Sequence, residues 1–218
     1  MRIKACLFSV GLLALAGCGL LNQHLAAPVT AKSFGMPYSG LANKSVAIVV
    51  YAPSATIDEY SGARDEISNF VATQMREHLS TTLLRPTRDV TYWQNDTLNW
   101  PNLSARDMGR HFGVDRVLFI EVLDYSTRRP VGVSNLQGRL RAQCKIYDTQ
   151  ENGTQPDQNG YVAPVWTGLV DAAWPPVKPL DPTQTNESAV RLRTLESFAD
   201  TLVRYFYEGR DSSPAIRG

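Results

Sequence analysis

Lys44-Ser45-Val46-Ala47-Ile48-Val49-Val50-Tyr51 is the stretch on which the fold turns. A short, β-branched, uninterrupted apolar run of this kind predicts a strand buried on both faces. Ala52-Pro53-Ser54 breaks it. From about Glu59 to Ser80, Ile67, Phe70, Val71, Met75 and Leu79 recur at three-to-four spacing, among polar Arg64, Asp65, Asn69, Arg76 and Glu77. That period predicts an amphipathic helix, which Arg85-Pro86 ends. Val90 to Trp93 reads as a short second strand. Ser104 to Phe112 reads as a short helix, with Ser104 as N-cap and Gly113 as its stop. Val114 to Tyr125 (VDRVLFIEVLDY) is the other strong strand.

Farther out, Gln137 to Asp148 alternates. Leu140, Ala142, Cys144 and Ile146 fall on one face, and Arg139, Arg141, Gln143 and Lys145 on the other. This predicts a half-exposed strand. A polar loop covers Glu151 to Gly160, and Pro164 to Ala173 forms a further strand. The proline-rich 174–182 stretch must leave the sheet. Asn186 to about Glu208 closes the chain as a helix with Leu192, Leu195, Ala199, Leu202 and Phe206 as its stripe. The order is β-α-β-α-β-β-β-α. A β-α-β crossover implies parallel strands, and helix-free links between later strands imply an antiparallel extension. The expected fold class is α/β, a single mixed sheet with helices packed on it.

The amino terminus is of another kind. Arg2 and Lys4 precede an uncharged apolar run from Ala5 to Ala16. At roughly 12 residues it is shorter than the ~20 a membrane span needs, and the pattern is that of an export signal. It ends in Leu15-Ala16-Gly17-Cys18, which resembles the lipobox of bacterial lipoproteins. The resemblance implies cleavage between Gly17 and Cys18 and acylation of Cys18, a membrane anchor through the N-terminal lipid. Gly19 follows, where an aspartate would imply retention in the inner membrane. The implied location is therefore the outer membrane, facing the periplasm. The expected organisation is signal peptide 1–17, lipidated cysteine and flexible tether 18–43, α/β domain 44–209 and disordered tail 210–218.

The chain has 218 residues, 22 basic and 21 acidic, with a formal charge of +1. Loss of Arg2 and Lys4 turns that to −1. This balance speaks against a nucleic-acid binder, which carries a basic excess. The three cysteines, Cys6, Cys18 and Cys144, exclude a disulfide scaffold, and cleavage plus acylation would leave Cys144 as the one free thiol.

No motif assigns a reaction. His24, His78 and His111 form no His-x-x-x-His pair, and Cys144 has no Cys-x-x-Cys partner, so no metal is expected. Gly-x-Ser-x-Gly, the P-loop and Gly-x-Gly-x-x-Gly are absent, and no cofactor is expected. Glu121 and Asp124 lie three apart on a strand, which predicts opposite faces. The candidate surface is a basic strand face of Arg139, Arg141 and Lys145 with Arg128 and Arg129 in the preceding loop, together with loop aromatics Trp100 and Trp174. The plainer reading of the basic face is a solvated one matched by acids such as Asp171.

Four stretches carry a family resemblance: the Ser45–Val50 strand, the helix ending near Leu79, the Ala105–Leu118 helix–Gly-Val-Asp–strand segment, and Lys145-Ile146-Tyr147-Asp148 followed by Val165-Trp166. Across residues 44–207 the chain resembles a group of bacterial envelope lipoproteins. The group holds the curli secretion channel subunit family, the penicillin-binding-protein activator lipoproteins and the amino-terminal domain of TolB. The resemblance implies a non-enzymatic scaffold or regulator of an envelope assembly, in secretion or cell-wall machinery, with an envelope protein as partner and, as in some members, self-association. The competing expectation is a lipoprotein that binds an envelope polysaccharide or small molecule through the loop aromatics and the basic face.

Overall fold

The structure, a computed structural model, describes residues 38–128, 136–150, 162–178, 180, 183 and 185–207. Its elements run β1 (Ser45–Tyr51), α1 (Ser54–Glu59), α2 (Ala63–His78), β2 (Leu83–Leu84), α3 (Thr87–Asp96), a 3-10 turn (Trp100–Asn102), α4 (Ala105–Phe112), β3 (Arg116–Arg128), β4 (Leu136–Asp148), β5 (Trp166–Trp174) and α5 (Glu187–Val203). One five-stranded sheet has the order β2-β1-β3-β4-β5. β1 pairs in parallel with β2 and β3, whereas β4 and β5 add antiparallel strands. The mixed α/β sheet is as the sequence predicts.

Helices lie on both faces. Val46, Ile48, Val50, Leu118, Ile120, Leu140 and Ile146 face α2 and α5, burying Ile67, Val71, Met75, Leu195, Phe198 and Leu202. Ala47, Val49 and Val117 face the other way, against Val90, Trp100, Met108 and Phe112. That is why β1 is apolar at every position from Val46 to Val50: both of its faces are covered. Each fully buried Leu, Ile or Phe contributes about 1.5–3 kcal/mol.

Several local assignments change. The predicted strand at Val90–Trp93 lies inside α3, and the actual second strand is Leu83–Leu84. Val90 and Gln94 are buried four residues apart, a helical spacing, and the Gln94 side chain donates to the Val50 carbonyl at 3.0 Å. The helix expected over Glu59–Ser80 is α2, Ala63–His78; an unexpected short helix, α1, precedes it, and Tyr60 turns inward between the two. Leu192, expected in the last helix's apolar stripe, is 48% exposed; Val190, Thr194 and Phe198 face the core instead. Residues 38–43, assigned to the tether, pack on the domain. Leu41 is 1% exposed, and the Tyr38 amide donates to the Tyr205 carbonyl at 2.8 Å.

The caps of α4 fall where expected. Ser104 Oγ accepts from the Asp107 amide at 3.1 Å, and Gly113 terminates the helix at φ +64°, where a Cβ would be strained. No helix among the described residues is long and apolar enough to cross a membrane. Gly17, Cys18 and Arg129, with the rest of the proposed signal and most of the tether, lie outside the described residues.

Candidate functional site

Among the described helices, α3 and α4 cover β1 and the start of β3, and α4 also touches β4, leaving the rest of β4 and β5 without a helix on that face. The uncovered part of that face is built by alternation. β4 turns Arg139, Arg141, Gln143 and Lys145 outward, and β5 turns Thr167, Leu169, Asp171 and Ala173 outward. β3 contributes Glu121 and, unexpectedly, Asp124. The register runs Glu121↔Gln143, Val122↔Ala142, then Asp124↔Arg141, so Leu123 is the extra residue of a β-bulge. The bulge defeats the parity argument and places both carboxylates on the same face.

The basic strand face is correspondingly neutralised. Arg139 binds Asp171 in a bidentate pair, Nε to Oδ1 at 3.0 Å and Nη2 to Oδ2 at 2.7 Å, which raises the guanidinium pKa. Lys145 Nζ lies 3.3 Å from Glu121 Oε2. Arg128, at the far end of β3, bonds Glu187 Oε2 at 2.8 Å. Arg141 alone of these cations makes no hydrogen bond or ion pair among the described residues. Leu123 and Leu169, 49% and 43% exposed, stand on the same face. At its α4 side the face ends in a cavity of about 240 Å³ whose lining includes Leu103, Met108, Phe119, Tyr147 and Val162.

The two loop aromatics part company. Trp100 is not a surface residue: it is 5% exposed, with its ring against Tyr51 and Trp93 at centroid distances of 6.1 and 6.4 Å. The short 3-10 turn that carries it points the indole under α3. Trp174 is half-buried at the end of β5, beside a recess of about 480 Å³ with Arg193, Glu196 and Ser197. The structure therefore brings Arg139, Arg141 and Lys145 together and leaves Arg128, Trp100 and Trp174 elsewhere.

The perturbed titrating groups have structural causes. Two hydrogen bonds from Ser45, the backbone amide first, hold the Asp115 carboxyl below its usual range. The Thr127 hydroxyl and then Arg128 do the same for Glu187. Burial pushes the Cys144 thiol and the Tyr125 phenol up. His78 stacks on Tyr207 at 4.4 Å and His111 on Trp93 at 5.2 Å. No cluster of three metal-ligating side chains occurs among the described residues. The signal sequence reasoning missed is the bulge; nothing in the composition of β3 announces it.

No family model matches the chain, and no curated protein does. Among solved structures it is similar to a lipoprotein from Neisseria meningitidis at 17% identity and TM-score 0.39, over 67% of this chain and 89% of that one. It is similar to the PelC dodecamer from Paraburkholderia phytofirmans at 13% identity and TM-score 0.42, over 76% and 89%. A minor lipoprotein from Acinetobacter baumannii is similar at 13% identity and TM-score 0.37, over 74% and 91%. Two of these bacterial neighbours are lipoproteins by name. At such TM-scores they assign this chain neither a family nor an activity.

Proposed function

We propose that the protein is a membrane-anchored, periplasm-facing lipoprotein of the outer membrane that works without catalysis, as a scaffold or regulator of an envelope assembly. The lipobox ending in Cys18 supports the anchor. One observation supports the binding role: the β4–β5 part of one sheet face carries no described helix and presents Leu123, Leu169 and Arg141, which is unpaired among the described residues, beside an apolar cavity. Protein interfaces concentrate their energy in this way, with apolar or arginine anchors inside a polar rim. The flanking Arg139–Asp171 and Lys145–Glu121 pairs supply such a rim and set orientation more than affinity. The partner is an envelope protein presenting an apolar side chain to the cavity and a carboxylate to Arg141.

A photo-crosslinking residue placed at Arg141 in living cells tests the reading. It is expected to capture one envelope protein reproducibly, while the same residue at Leu192, on the helical face, captures none. Equal patterns from both positions, or no adduct from Arg141, would contradict it.

A further inference from the structure

The outer edge of β5 stands apart from the open face. β5 ends the sheet, and its nine residues pair with β4 in unbroken register from Ile146↔Trp166 to Gly138↔Trp174. Among the described residues no backbone group bonds its other edge. Edge strands of this length are ordinarily blunted by lysines, internal prolines or bulges. Trp166-Thr167-Gly168-Leu169-Val170-Asp171-Ala172-Ala173-Trp174 has none of these. Its one charge, Asp171, is occupied by Arg139. Prolines occur only outside it, at Pro164 and Pro175, and so delimit a pairing segment of fixed length.

The strand also has a mirror pattern. The residues turned toward α5 are Trp166, Gly168, Val170, Ala172 and Trp174: large, small, branched, small, large. The small residue at 168 is required, because a Cβ there would meet the Trp166 indole, which lies along its own strand. A pattern symmetric about Val170 matches itself when a second copy is turned end for end. Antiparallel pairing about Val170 sets each Trp166 opposite the other copy's Trp174, and each Gly168 opposite an Ala172. On the open face it sets Leu169 opposite Asp171. Cross-strand aromatic pairs are a principal source of sheet stability, and a two-fold interface uses one patch twice. Along α5, Arg193 is paired with Glu196 and Arg204 with Asp200, so two copies side by side present compensated charge.

We propose that β5 pairs edge to edge with β5 of a second copy, antiparallel about Val170, giving a two-fold dimer with one continuous sheet. The pairing is independent of what docks on the open face and of the anchor. It predicts a specific register, which two opposite substitutions at one exposed position read out. Leu169→Asp sets like charges across the interface twice, and Leu169→Lys sets a lysine opposite Asp171. Sedimentation of the full chain in detergent is expected to show a wild-type dimer at ~10–100 µM. Leu169→Asp should raise the dissociation constant about tenfold or more, while Leu169→Lys stays within about threefold. A wild-type monomer throughout that range overturns the proposal, and so does insensitivity to Leu169→Asp. Equal loss with both substitutions overturns the register, and with it the proposal.

Discussion

Asp115 and Ser45 hold the starts of two parallel strands to each other. Asp115 Oδ2 accepts from the Ser45 amide at 2.9 Å and from Ser45 Oγ at 2.8 Å, and Ser45 Oγ in turn accepts from the Asp115 amide at 2.9 Å. Gln150, just after β4, donates to the other carboxylate oxygen. Three strand ends thus share one carboxylate. The Gly-Val-Asp turn that follows α4 acts here as a latch.

Asp115→Asn is expected to cost about 1.5–3 kcal/mol, the range for hydrogen bonds to a charged acceptor. The cost depends on pH in a definite sense. The folded carboxyl titrates below the unfolded one, whose pKa is about 3.9. Its contribution is therefore complete above that value and is lost as pH falls through the folded pKa. Urea unfolding should show the full gap between wild type and Asp115→Asn at neutral pH and a narrowing gap in acid. A gap that widens in acid would contradict the latch.

Beside it, Arg116 and Asp148 form a 2.7 Å ion pair with side chains only 12% and 16% exposed. Removing one partner strands a nearly buried charge, at about 3–5 kcal/mol. Arg116→Met should therefore destabilise strongly in urea. Arg116→Met with Asp148→Leu should recover most of the loss, because a buried pair contributes little net stability over apolar replacements of similar size.

Trp100→Ala should unfold the chain more easily by about 3–5 kcal/mol, the cost of emptying a large buried aromatic site. Trp100→Phe should cost less. Denaturation curves decide between this and a surface role, in which both substitutions would leave stability unchanged.

Cys144 is fully buried and its thiol is pushed up by burial. Only the thiolate reacts. A maleimide should leave Cys144 unmodified in buffer and label it stoichiometrically in urea. Rapid labelling of the native chain would show that α5 opens away from the sheet.

The sheet class was legible because Val46–Val50 and Val117–Ile120 are apolar at every position and β4 alternates. The helix at Thr87–Asp96 was not, since Val90-Thr91-Tyr92-Trp93 is locally strand-like and only tertiary burial of Val90 and Gln94 decides for a helix. The candidate surface was legible as a row of cations on one face of β4. Their neutralisation was not, because Asp171 and Glu121 come from neighbouring strands in a register the sequence does not state. Trp100 shows the same limit: a tryptophan beside a proline reads as a loop anchor, and only the packed α3–α4 layer turns it inward.

Labelled palmitate tests the lipid anchor on Cys18 directly. Cells expressing the wild-type chain should incorporate label into this protein, and cells expressing Cys18→Ser should not. Equal incorporation in both would contradict the anchor and the envelope role built on it.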